Sequence, residues 1–147
     1  MTPRWMIAAW LALASQVVTA EPVELPQLLA NEEFRSAWEK LVREEERLPD
    51  WVLNLDGQAF PMIALEAAGR RYLFGKLCQI DDCGRERLLV LIDRDWDRAH
   101  ALYVRLPEAL PEDRAPSRHA YLRWLGDPNA AQRRLLEEQL SLEPDWY

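Results

Sequence analysis

Apolar positions along the chain fall into blocks of different period, and those blocks predict the order of elements. Phe34, Ala37, Trp38, Leu41 and Val42 recur three and four residues apart, which gives a helix one apolar face. Asn31 followed by Glu32 and Glu33 supplies a capping side chain and an acidic first turn, and Pro49 lies beyond the helix end. Trp51 and Val52 are expected to enter the core and anchor the turn into a sheet. Phe60 to Glu66 and Arg71 to Cys78, separated by Gly69 and Arg70, read as a hairpin. Leu88 to Ile92 is a continuous apolar run that suits a central strand buried on both faces. A polar tip over Asp93 to Arg98 leads into a fourth strand at Ala101 to Leu106. Pro107, Pro111 and Pro116 then mark an irregular connection. Tyr121, Leu122 and Leu125 predict a short helix over Arg118 to Leu125, with Tyr121 and Trp124 in the core. Asp127 and Pro128 predict the cap and first residue of a last helix carrying Leu135, Leu136 and Leu140. Glu143 to Tyr147 has no period. Strands bracketed by helices predict an α+β domain: an antiparallel β-sheet with flanking helices.

The first twenty residues stand outside this pattern. Arg4 precedes an apolar stretch from Trp5 to Ala14, and Val18-Thr19-Ala20 places small residues before a cut, as in a secretory signal peptide. The apolar run is shorter than the roughly 20 residues that cross a bilayer. Residues 1–20 are therefore expected to be a signal peptide cleaved after about Ala20, and 21–147 a single exported domain without membrane attachment. Removing Arg4 moves the net charge from −7 to −8. That balance disfavours nucleic acid and anionic lipid, which are bound by clustered Lys and Arg. It favours encounter with a basic protein, although acidity also keeps a protein soluble with no partner at all.

Two cysteines, Cys78 and Cys83, flank four residues in a chain headed for an oxidising compartment, so a disulfide is the first expectation. Zinc would need four ligands, and His100 and His119 stand in no metal-ligand spacing. The bridge would hold Gln79, Ile80, Asp81 and Asp82 in one exposed shape between two paired strands, lowering the ordering cost of binding. The expectation is a protruding disulfide-closed loop.

Other polar clusters carry less chemistry. Asp93, Asp95 and Asp97 resemble the opening of a calcium loop, but Arg98 stands where the turn needs glycine and Val104 where a bidentate glutamate belongs. A solvated hairpin tip is the plainer reading, and no metal or cofactor is expected. Trp96 on that tip either folds back on the sheet or offers a secondary contact to a partner. His100 and His119 read as ordinary surface or edge histidines. Asp81 and Asp82 are adjacent on a tight loop, where neighbours point apart, whereas a catalytic pair must face a common cleft, and there is no Gly-x-Ser-x-Gly elbow or phosphate-cradling loop. No catalytic residue is assigned, and the chain is read as a binding protein.

Several short motifs occur together in a recognisable order. Leu48-Pro49 before Trp51-Val52, Cys78 to Cys83 followed by Gly84, Arg87 with Val90 in the strand beyond, and Leu122-Arg123-Trp124-Leu125 resemble the Ivy family, periplasmic inhibitors of vertebrate-type lysozyme. The resemblance covers most of residues 21–147. It implies a loop that plugs the active-site cleft of a basic muramidase such as a c-type lysozyme, and it makes a homodimer possible; the alternative is a diverged relative that restrains endogenous lytic transglycosylases or another periplasmic partner, with weak or no lysozyme inhibition. In the family the loop reads Cys-Lys-Pro-His-Asp-Cys, and its histidine bonds the two catalytic carboxylates. Here Gln79, Ile80 and Asp81 replace the lysine, proline and histidine, while Asp82 and both cysteines agree. Histidine can donate to a carboxylate, whereas an ionised aspartate only accepts. Membership of the family and inhibition of ordinary lysozyme are therefore separate expectations.

Overall fold

The computed structural model describes residues 17, 19–112, 114–144 and 146–147. The expected signal peptide falls almost wholly outside them. Among the described residues no helix is long and apolar enough to cross a membrane.

The architecture is an antiparallel sheet between two helical layers. Strands β1 (Gln58–Ala59), β2 (Ile63–Ala67), β3 (Arg70–Cys78), β4 (Glu86–Asp93), β5 (Ala99–Arg105) and β6 (Tyr121–Leu125) pair in the order β1-β3-β4-β5-β6, with β2 also on β3. The hairpin β2–β3, the central strand β4 and its neighbour β5 stand where the apolar runs placed them. Every residue of β4 from Arg87 to Ile92 is buried. Alternation along that strand splits the core in two. Leu88, Val90 and Ile92 pack with Phe34, Trp38 and Leu41 of α1 (Glu32–Arg43), while Leu89 and Leu91 pack with Leu135, Leu136 and Leu140 of the C-terminal helix. A two-sided demand of this kind is what a continuous apolar run encodes.

Helix α1 begins as expected, with the Asn31 carboxamide accepting the Phe34 amide at 2.9 Å. A 3₁₀ segment, Leu25–Ala30, precedes it and buries Leu25 and Leu28. The next piece differs from expectation: residues Asp50–Leu53 form a one-turn helix, α2. Val52 is buried there, but Trp51 is only half-buried, because its indole N–H reaches a carboxylate at the end of the sheet.

Two expectations for the C-terminal third are corrected. The segment expected as a helix over Arg118 to Leu125 contains strand β6, paired from Ala101↔Leu125 to Arg105↔Tyr121. Its apolar spacing fits either period over so few residues, and the open edge of β5 decides, since its backbone groups need partners. Tyr121 is consequently 51% exposed and Trp124 half-buried, not core. The last helix, α3 (Ala130–Ser141), is capped by Asn129, not Asp127: Asn129 and Gln132 form a reciprocal capping box with both bonds at 2.9 Å. Asp127 instead takes a positive φ of 49° after Gly126, turning the chain from β6 into the helix.

Candidate functional site

Strands β3 and β4 run side by side until Cys78 pairs with Arg87, and the link between them is the candidate site. Cys78 and Cys83 form the expected disulfide, with Cα atoms 4.7 Å apart. Backbone bonds fill the ring that the bridge closes. The Gln79 amide donates to the Glu86 carbonyl at 3.1 Å, extending the ladder by one rung, and the Asp82 amide donates to the Gln79 carbonyl at 3.1 Å. The Asp82 carbonyl accepts from Arg85 and Glu86, and its carboxylate pairs with the Arg85 guanidinium at 3.1 Å. Ile80 and Asp81 are thereby pushed to the apex. Ile80 is 56% exposed. Asp81 is exposed and has φ +67°, a conformation that aspartate tolerates better than most residues.

The loop is anchored below on both faces of the sheet. On the α3 side, the buried Arg87 donates to the Gly84 carbonyl at 2.7 Å and to Glu143 at 3.2 Å. Glu143 also accepts from Lys76 at 2.6 Å, and the Lys76 ammonium sits 4.3 Å from the Phe60 ring centroid. One carboxylate from the tail thus ties β3 to β4 just beneath the bridge. On the α1 side, Glu86 accepts from the Tyr103 hydroxyl at 2.8 Å and from the Trp51 indole at 3.4 Å. Burial, then the bond to Glu86, pushes the Tyr103 pKa well up, so the phenol remains a donor. Gly57 completes the base: a Cβ there would meet the Cys78 carbonyl oxygen at 2.6 Å, so only glycine lets β1 close on the end of β3.

The six loop residues predicted from sequence lie together. Trp96 does not join them. It sits on the β4–β5 tip, at the other end of the eight-residue β4 and so about 25 Å away, half-buried against the α1-side core. Asp93, Asp95 and Asp97 share that distant tip, interleaved with Arg94 and Arg98 around an open cleft. His100 on β5 is partly buried, and burial pushes its pKa below the usual value. His119 is exposed beside Arg118 and Tyr147. Glu86, Tyr103, Lys76 and Glu143 were not anticipated as supports. Their spacings of tens of residues carry no local signal, and Glu143 lies in the tail without a period.

The family described as Inhibitor of vertebrate lysozyme (Ivy) matches residues 33–141. The chain belongs to the Ivy family. An Inhibitor of vertebrate lysozyme from Pseudomonas aeruginosa is 33% identical over 147 residues, covering 97% of this chain and 96% of that protein. An uncharacterized protein of the same organism is 53% identical over 116 residues, 78% of this chain and 74% of its own length. One from Yersinia pestis is 30% identical over 137 residues, 88% of this chain and 87% of its own length. The matched region contains β1 to β6, the bridged loop and nearly all of the helices on both faces, and stops short of Glu143 in the tail.

Proposed function

We propose that this protein is an exported, periplasmic inhibitor of c-type lysozyme that acts by placing the Cys78–Cys83 loop in the active-site cleft of the enzyme. The signal peptide at residues 1–20 and cleavage after about Ala20 belong to the same reading. The observation that carries it is the bridged turn. Its backbone is ordered by its own hydrogen bonds, its apex offers Ile80 and Asp81, and two sets of side chains brace its base. A backbone ordered before binding avoids about 1–2 kcal/mol for each residue that would otherwise be fixed on contact. The 33% identical relative, whose name is Inhibitor of vertebrate lysozyme, supports a lysozyme as the target.

The loop chemistry narrows the contact. Ile80 supplies an apolar surface and an ionised Asp81 only an acceptor, so a cleft carboxylate beside Asp81 would be repelled, where a histidine would donate to it. The test mixes oxidised protein with a c-type lysozyme, and separately with a lytic transglycosylase, and follows clearing of cell-wall suspensions. Slowed clearing by lysozyme is the expected result. Unchanged lysozyme activity with a blocked transglycosylase would reassign the target, and no effect on either enzyme would refute the reading.

A further inference from the structure

We propose that Tyr121, with Arg105 beside it, makes a second contact with the muramidase, on the enzyme surface next to the cleft. This inference rests on the loop-insertion reading and adds to it. The loop supplies six residues, whereas a stable protein interface takes roughly 20–30 residues and about 800 Å² from each partner. A round patch of that area reaches about 16 Å from its centre. The enzyme must therefore also rest on the end of the sheet around the loop.

Cross-strand pairing says what lies there. The Gln79 amide bonds the Glu86 carbonyl, Glu86 pairs with Arg105, and Arg105 pairs with Tyr121. Directly opposed residues share a face, and strands lie about 4.8 Å apart, so this row runs about 14 Å from the start of the loop to Tyr121. The far end of the row is inside the required footprint. It is also the open end: Glu86 is held by Tyr103 and Trp51, while Tyr121 is 51% exposed on the edge strand β6. The Arg105 guanidinium lies 5.5 Å from the Tyr121 ring centroid, limiting the ring's freedom before any partner arrives. Tyrosine and arginine are the residue types that most often dominate binding once desolvated. The ring faces the same way as Gln79 and Glu86, on the α1 side of the sheet.

Titration calorimetry with a c-type lysozyme tests this, comparing the wild-type protein with Ile80→Asp in the loop, Tyr121→Ala and Tyr121→Phe. Ile80→Asp and Tyr121→Ala should each weaken binding about tenfold or more, with Tyr121→Phe within about threefold of wild type because the ring is kept. Wild-type affinity for Tyr121→Ala together with a weakened Ile80→Asp overturns the second contact and leaves loop insertion standing. No binding by the wild-type protein, or wild-type affinity for Ile80→Asp, overturns both. Hydroxyl-radical labelling of Tyr121 in the unsubstituted complex gives an answer independent of folding: protection supports the contact, and undiminished labelling refutes it.

Discussion

Replacing Asp81 with histidine puts the mode of action to its sharpest test. The apex residue has φ +67°, and histidine, like aspartate and asparagine, is enriched at positive φ, so the exchange leaves the turn intact. Asp82 keeps its pairing with Arg85, and the bridge and its supports are untouched. What changes is the group carried into the cleft. An aspartate held about 4 Å from a target carboxylate is repelled by roughly 4 kcal/mol at an effective dielectric of about 20. That is almost three decades of affinity, an upper bound because water remaining at the contact would weaken the repulsion. Asp81→His exchanges the repulsion for a donor, and Asp81→Asn removes the charge alone. The inhibition constant against a c-type lysozyme, read from wall clearing at neutral pH and physiological salt, should fall by about tenfold to 10³-fold for the histidine, with the asparagine variant in between. A gain confined to low salt would place the residue on the rim. Identical constants for all three proteins would refute entry of this position into the cleft.

Three further outcomes follow from the bridge, from the tail carboxylate and from a part-buried histidine. Replacing both Cys78 and Cys83 with alanine should cost at most about 2 kcal/mol of crosslink stabilisation, because the closed loop is short, yet weaken lysozyme binding more than tenfold as the loop must then be ordered on contact; calorimetry showing unchanged affinity would end the preformed-loop argument. Glu143→Ala leaves Lys76 and the buried Arg87 without their shared carboxylate and should lower stability by about 2 kcal/mol, seen as a reduced urea midpoint, whereas an unmoved midpoint would show that the tail does not brace the sheet. His100 has its pKa pushed below the ordinary 6.5, chiefly by burial, so the unfolded chain takes up the proton first as pH falls. Its contribution is full above that value and declines as pH drops below it toward the folded pKa. The thermal midpoint of wild type relative to His100→Gln should therefore fall as pH is lowered through and below 6.5, and a constant difference would contradict this.

Local pattern carried much of the architecture. The three-and-four spacing from Phe34 to Val42 defined α1 and its buried face, and the unbroken run Leu88 to Ile92 marked the strand covered on both sides. The hairpin leading to Cys78 and the bridge to Cys83 were also legible, because apolar and aromatic runs, a turn and two nearby cysteines are short-range signals. Tyr121 to Leu125 was not. Five residues hold too little period to separate helix from strand, and the exposed edge of β5, brought there only by folding, supplied the hydrogen-bond partners that made β6.

The same division holds at the loop. Its residues, its closure and the change at Asp81 are written in six consecutive letters, since they depend on neighbours in the chain. Its bracing by Glu143 from the tail and by Trp51 and Tyr103 from the opposite face was decided by tertiary structure. Those partners come from distant segments, and only burial against a common sheet makes an ion pair or hydrogen bond between them favourable enough to hold the loop in place.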